Sequence, residues 1–441
     1  MTSRRDQMQS YQFMNQRVIS AFIMRETDPA QSPLRRGVGA LFAGIMVAVL
    51  VAAGFGIYGV LTRSGTDAWK ADGSVVVERE TGASFAVIGG RLTPALNLAS
   101  AKLAAGKADP AVFRVSAKEL EDAPRDATIG IAGAPGSLPG PGRQVGLPWT
   151  MCALAFGDAP ESALFVGDTG PVGDALEEQS LAVTVGDQKY MIWRGRRHLL
   201  IGAATARILF NESTPIRVDP TWLNTLPTGS DIGPLPVGDA GRRSAAASRF
   251  TNGDVLFTET GNGRQYYLVK NAGLLPISDL QQRVQLAPTR DEAQKIAVGD
   301  VSDVLPADGS PASGPATVPQ LLENAGGSVC ATTSTPEKPP EVTVDVPESA
   351  YAAAISTGGG PGTADRVQVP AGRFALARAS GGLFLITDLG LRHPVPSADD
   401  LRFLGYSADN ATEVPSALLN TLPAGVTLTS AQARKRSPQE N

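Results

Sequence analysis

The sequence predicts an α+β protein: a single N-terminal transmembrane helix, then an elongated extracytoplasmic region of four small hairpin-plus-helix repeats around a central domain that a disulfide would link. Three observations lead there. A charge-free apolar run extends over 25 residues, from Gly37 to Leu61. A seven-residue string near Leu223 recurs 196 positions later. The chain holds only two cysteines, Cys152 and Cys330, and both follow the apolar run.

The apolar run fixes the compartments. A helix rises about 1.5 Å per residue, so roughly 20 residues cross a hydrocarbon core of about 30 Å. The run from Gly37 to Leu61 is long enough to span with some tilt. A soluble helix of that length keeps a polar face, and this one has none. A cleaved signal peptide fits poorly, since 36 residues precede the run and Tyr58, Leu61 and Arg63 offer no small-residue cleavage site. Residues 1–36 carry Arg4, Arg5, Arg17, Arg25, Arg35 and Arg36, with Arg35 and Arg36 forming the basic flank at membrane entry. Beyond the run only Arg63 and Lys70 lie close. The positive-inside rule therefore places the N-terminus in the cytoplasm and the bulk of the chain outside.

Ahead of the span, Met8, Tyr11, Met14, Val18 and Phe22 recur at helical spacing, with Ile19 and Ile23 widening the stripe. Such a helix either lies on the lipid surface or docks on a cytoplasmic partner. Past the span, 33 basic and 40 acidic residues remain. With a net charge of −4 and a pI near 5.5 for the whole chain, no basic footprint for nucleic acid exists. Gly (48) and Pro (33) are abundant, which predicts many turns between compact pieces.

Both cysteines fall in the outer part, where thiols are oxidised and stay so. Two cysteines allow one internal pairing, and closing so long a loop restricts the unfolded chain by up to about 5 kcal/mol. Two free buried thiols, or a bridge between chains, are the alternatives.

The repeats rest on self-similarity. Leu223-Asn-Thr-Leu-Pro227-Thr-Gly229 returns as Leu419-Asn-Thr-Leu-Pro423-Ala-Gly425, and Arg197-His198 returns as Arg392-His393. Hairpin-like strings begin at Phe85, Tyr190, Tyr267 and Phe384, with Gly89-Gly90, Gly195 and Asn271-Ala272-Gly273 as turn residues. A short helix follows each, at Leu96 to Ala105, Ala203 to Phe210, Ile277 to Gln285 and Ala398 to Leu404, with Asp279 and Ser397 as N-terminal caps. A hydrophobic pair closed by Pro124, Pro227, Pro306 or Pro423 ends each unit. The second and fourth copies match best. The resulting division is a cytoplasmic segment at 1–36, the span at 37–61 and a linker at 62–83. Repeats occupy 84–131, 190–233, 265–306 and 382–428, with central parts at 132–189 and 307–381 and a polar tail at 429–441. Pro/Gly/Ser-rich stretches at 132–148, 228–247, 307–319 and 332–340 are expected joints.

No catalytic, cofactor or metal site emerges. The only histidines, His198 and His393, occupy the same place in two repeats, which points to a structural role rather than a catalytic one. No Gly-x-Ser-x-Gly elbow and no metal-ligand spacing is found. The sole Gly-Lys pair, Gly106-Lys107, has Ala101 and Ala108 where a P-loop needs Gly and Ser/Thr.

Arg4-Arg5-Asp6-Gln7, Tyr11, Phe13, Arg17-Val18 and Arg35-Arg36 entering the apolar span resemble the start of the EccB family, membrane component B of type VII (ESX) secretion. The ordered repeats and the far-apart cysteines extend the resemblance over essentially the whole chain. It implies a structural subunit of the secretion channel in the inner membrane, single-pass, N-terminus cytoplasmic and bulk periplasmic. It further implies assembly with EccC, EccD and EccE, contact with the mycosin protease, and a homodimer or higher oligomer through the outer domains. A central piece held by a bridge between Cys152 and Cys330 is also implied. The family's repeats resemble a phage lysin's cell-wall-binding fold, so cell-wall contact is one alternative role. An ATPase label carried by some members is the other, and no residue here is assigned to it.

Overall fold

The computed structural model describes residues 3–24, 33–62, 67–154, 159–211, 213–261, 263–302, 304, 315–323 and 327–437. Two compact units divide the chain, Met1–Ala71 and Asp72–Asn441.

In the first unit, helix Arg4–Met24 precedes helix Pro33–Thr62. The stretch Gly37–Ile57 is the one helix among the described residues long and apolar enough to cross a membrane. Arg35 and Arg36 lie in its first turn, although their side chains fall outside the described residues. On the first helix Met8, Tyr11, Met14, Val18 and Phe22 are exposed, Phe22 at 91%.

The second unit contains four small sheets built on one plan, here called modules 1 to 4. Three antiparallel strands form a meander, a helix follows, and a last strand returns parallel to the first on the far edge. Module 1 uses Val75–Glu78, Ser84–Ile88, Arg91–Ala95, helix Leu98–Ala105 and Val112–Val115. Module 2 uses Ser180–Val185, Gln188–Trp193, Arg196–Leu199, helix Ala203–Phe210 and Ile216–Arg217. Module 3 uses Val255–Thr260, Gly263–Lys270, Gly273–Ile277, helix Asp279–Leu286 and Gln294–Lys295. Module 4 uses Phe374–Ala379, Gly382–Ile386, Arg392–Pro394, helix Ala398–Leu404 and Thr412–Glu413. Asn97, Ser278 and Ser397 accept hydrogen bonds from the first-turn N–H groups of their helices. In module 3 the cap is thus Ser278, one residue before the expected Asp279.

Each sheet begins upstream of the hairpin that its sequence advertises. Val75–Glu78 falls in the 62–83 linker, Ser180–Val185 and Phe374–Ala379 fall in the central parts, and Val255–Thr260 precedes residue 265. These strands share apolar character but few identical letters, so self-similarity passes over them. Leu305 and Pro306, taken as the end of the third repeat, lie outside the described residues, as do 307–314.

Strands from both central intervals interleave in one sheet of seven. Its order is Ile355–Ser356, Arg366–Gln368, Glu161–Val166, Trp149–Leu154, Ser328–Thr333, Glu341–Val346 and Asp174–Ala175. The two strands that carry the cysteines are antiparallel neighbours, with Cys152 directly opposite Cys330. Trp149, Met151, Val329, Ala331 and Val344 enter a core shared with Leu181, Trp222 and Leu223 of module 2 and Ala377, Leu418 and Leu422 of module 4. A second core joins Ala99 and Leu103 of module 1 to Leu401, Leu404 and Tyr406 of module 4. A third joins Met191, Ala206 and Phe210 of module 2 to Leu280 and Val284 of module 3. Modules 2 and 4 therefore sit on the central sheet, and modules 3 and 1 pack on them in turn.

The joint expected at 132–148, the central stretch at 320–322 and the polar tail at 429–441 all carry structure. Gln144 and Val145 pair with Phe374 and Ala375, adding a strand to module 4, and Tyr406 Oη donates to the Pro139 carbonyl at 2.7 Å. Gln320 to Leu322 do the same for module 2, where Ser180 bonds the Gln320 carbonyl and the Leu322 N–H. Within 429–441, residues Ser430–Ala433 form a helix with Ala433 buried, and Arg434 Nε donates to the Ala104 carbonyl at 3.0 Å. Backbone pairing needs no apolar run, which is why composition alone reads these pieces as linkers.

Candidate functional site

The recurring strings build a pair of matching latches in modules 2 and 4. The third strand of each module is covered on its outer edge by the chain that returns after the proline. The Arg197 N–H donates to the Pro227 carbonyl at 3.0 Å, and the Gly229 N–H donates to the Arg197 carbonyl at 2.8 Å. In module 4 the Arg392 N–H meets the Pro423 carbonyl at 3.0 Å, and the Gly425 N–H meets the Arg392 carbonyl at 2.8 Å. The arginine side chains tie down the preceding turn: Arg197 donates to Asn224 Oδ1 and Arg392 to Asn420 Oδ1. Leu223, Leu226, Leu419 and Leu422 fill the core below. Thr225 and Thr421 donate to the Trp222 and Leu418 carbonyls at 2.7 Å, so one hydrogen-bonded clasp uses each residue that the two strings share.

The histidines occupy the space that the glycines leave. A Cβ on Gly229 would stand 2.3 Å from His198 Cε1, and one on Gly425 would stand 2.4 Å from His393 Cε1. Each ring uses Nδ1 against a backbone carbonyl, His198 to Ser230 at 2.8 Å and His393 to Val426 at 2.9 Å. Burial lowers the pKa of both rings below the ordinary value. His198 Nε2 is buried without a hydrogen-bond partner. A buried imidazole with one nitrogen spent on the backbone and its ring set against a glycine fastens a strand edge. Module 1 makes the same edge differently: the Leu92 N–H meets the Pro124 carbonyl and the Asp126 N–H meets the Leu92 carbonyl. There Thr93 stands at the histidine position, and the smaller side chain leaves room for Asp126 in place of glycine.

Cys152 and Cys330 are joined by a disulfide, both fully buried, which removes the free-thiol and interchain alternatives. Leu154, Phe165, Val346 and Tyr351 surround it. Tyr351 Oη lies 3.6 Å from Cys330 Sγ, and burial pushes its pKa up to about 12.

Gly106-Lys107 sits where a helix ends, not where one begins. Gly106 is the left-handed C-terminal residue of helix Leu98–Ala105, so carbonyls rather than N–H groups face it, the wrong polarity for phosphate. Among the described residues no cluster of three or more His, Cys, Asp or Glu side chains could hold a metal ion.

Surface clefts lie beside module 3, between modules 1 and 4, and on the central sheet. One of about 710 Å³ lies beside the module 3 helix, with Ile208 of module 2 on its wall. Another of about 320 Å³ occupies the junction of modules 1 and 4. A third of about 550 Å³ lies outside Tyr351, bounded by Glu161 and Arg366, which form an ion pair at 3.0 Å. No motif marks these clefts, whose walls come from the packing of side chains rather than from a recurring string.

With this geometry in place, the chain can be set beside known proteins. The family described as "Type VII secretion system ESX-1, transport TM domain B", EccB, matches residues 1–438. The ESX-2 secretion system ATPase EccB2 of Mycobacterium tuberculosis is 30% identical over 295 residues, covering 63% of this chain. That match spans only 57% of EccB2. The ESX-3 secretion system ATPase EccB3 of Mycolicibacterium smegmatis is 24% identical over 481 residues, covering 97% of this chain and 90% of the relative. Among solved structures, a chain of the intact ESX-5 inner membrane complex superposes with a TM-score of 0.67 at 22% identity, covering 100% of this chain and 96% of that one. The EccB3 dimer from the ESX-3 core complex gives 0.65 at 21% identity, covering 82% and 99%. Both share the fold. The match along almost the whole length, over the apolar helix and the outer unit alike, makes this chain a member of the EccB family of type VII secretion.

Proposed function

We propose that the chain is the B subunit of an ESX inner-membrane secretion complex, anchored by helix Pro33–Thr62 and serving as a structural part of the export channel. Residues 1–36 face the cytoplasm in this reading, and residues 67–437 stand outside. The observation that carries it is the family match over residues 1–438, joined to one apolar helix ahead of a disulfide-bonded unit. Support for the orientation comes from the arginines ahead of the span and from the compartment in which disulfides persist.

The four modules are read as copies of one ancestral unit, beginning at Val75, Ser180, Val255 and Phe374. Their common strand order supports this. The contact order 1, 4, central sheet, 2, 3 suits an extended row of small units. EccB3 is described as a dimer in its core complex, and self-association through the outer unit is proposed here likewise. EccC, EccD, EccE and a mycosin protease are the proposed partners. The word ATPase in the relatives' names belongs to those proteins.

Deletion of residues 1–36 is expected to abolish co-purification with the other membrane subunits while the outer unit stays folded. Unchanged recovery of those subunits would refute the docking role of the segment.

A further inference from the structure

The outer unit offers an internal control for the cleft beside the module 3 helix. Helices Leu98–Ala105 of module 1 and Asp279–Leu286 of module 3 are equivalent: each has eight residues and a cap, Asn97 or Ser278, bonded to the third helical N–H. Each packs against the helix of the neighbouring module. Their fifth residues are Lys102 and Arg283. Four residues past each helix stand Asp109 and Arg290, both with left-handed backbone, φ 44° and 61°. A side chain other than glycine held in that region is a strained feature that the surroundings must enforce.

The two halves use this equivalence in opposite ways. In module 1 the cation and the anion converge on Gly405: a Cβ there would stand 2.9 Å from Asp109 Oδ1 and 3.0 Å from Lys102 Nζ. Lys102 Nζ also donates to the Leu404 carbonyl at 3.0 Å. In module 3 both positions are arginine, and both line the cleft of about 710 Å³. Arg283 keeps an exposed pair with Asp279 at 3.3 Å, while Arg290 forms no ion pair among the described residues. Arg264 and Lys295 line the same cleft and share Glu259, and Asp291 and Glu292 stand on its loop. Between them, Ile208, Phe257 and Leu286 supply an apolar floor.

We propose that this cleft binds an acidic peptide segment of a partner protein, a carboxylate side chain taking the place beside Arg283 and Arg290 that Asp109 fills beside Lys102 in the other half. A carboxylate suits the site because its counterpart is one. The apolar floor and the size call for a chain that carries apolar side chains between its acids, rather than a bare ion.

The test uses the full chain in detergent and a fluorescein-labelled peptide of alternating glutamate and leucine. Saturable binding is expected, falling at least tenfold in Arg290→Ala and in Arg283→Gln and unchanged in Arg249→Ala, whose side chain pairs with Asp300 elsewhere. The same peptide with lysine for glutamate should not bind, and millimolar phosphate should compete weakly. Absent binding, equal binding of the lysine peptide, indifference to both cleft variants, or displacement by phosphate as strong as by unlabelled peptide would each overturn the proposal. Arg290→Asp, which puts an acid where module 1 has Asp109, should abolish binding of the glutamate peptide, and retained binding would contradict the proposal.

Discussion

Modules 2 and 4 share a core with the central sheet, whereas modules 1 and 3 share theirs with another module, and module 1 closes its third strand differently from the inner pair. The inner pair uses a buried histidine over a glycine, with an asparagine holding an arginine in the turn above. Module 1 reaches the same backbone pairing with Thr93 and Asp126. The shared strand order shows that the plan does not require the histidine. The latch goes with the place a module occupies: the turn helices Pro220–Thr225 and Ser416–Leu419 touch each other, and Trp222 and Leu418 enter the core of the central sheet. Two modules in equivalent surroundings keep the same letters, and modules at the ends of the row are free to differ.

Removing the bridge tests the comparison most severely. Cys152→Ala with Cys330→Ala frees a loop spanning a sequence separation of 178, for which chain entropy gives a loss of up to about 5 kcal/mol. Hydrogen exchange should then rise in the central sheet and modules 2 and 4 before modules 1 and 3. Uniform loosening would erase the distinction between inner and outer modules.

Next in size is Gly229→Ala or Gly425→Ala, each driving a methyl group into an imidazole. A loss of about 1–3 kcal/mol in chemical denaturation is expected, as for other overpacked sites. The double change Gly229→Asp with His198→Thr copies module 1 and should recover most of that loss. No recovery would mean that the ring and the glycine are not coupled. Asn224→Ala removes an acceptor from the half-buried Arg197 and should cost about 1 kcal/mol.

Acid provides a gentler probe. Both histidines have pKa values below the ordinary 6.5 when folded, so the unfolded chain takes up protons first. Their contribution is complete above pH 6.5, declines as pH falls toward the lowered folded values, and levels off below them. A thermal midpoint followed from pH 8 to 5 should fall in the parent chain and fall less in His198→Thr with Gly229→Asp. Equal slopes would assign the acid sensitivity to other groups.

What the sequence disclosed follows from the kind of force at work. The span is legible because lipid demands an unbroken apolar run, and Gly37–Ile57 supplies it. The hairpins are legible at their turns, where Gly89-Gly90 and the Arg194-Gly195 pair take left-handed backbone. The returning strands Ile216–Arg217, Gln294–Lys295 and Thr412–Glu413 have two residues each, too few to show a period. The straps at Gln144-Val145 and Gln320 to Leu322 are held by backbone bonds, which any side chain permits. Two cysteines alone leave three arrangements open, and it is the antiparallel placement of their strands that sets Cys152 opposite Cys330. The cleft of module 3 depends on Arg283 and Arg290 being set against Lys102 and Asp109. That comparison needs the module register, and the outer modules carry too few shared letters to reveal it.

The account depends most on the apolar helix separating a cytoplasmic N-terminus from an outer unit. An alkaline phosphatase reporter, active only outside the cytoplasm, can be joined after Thr62 and, separately, after Arg36. The account predicts strong activity for the first fusion and none for the second. Silence after Thr62, with a cytoplasmic reporter active at the same junction, would contradict it.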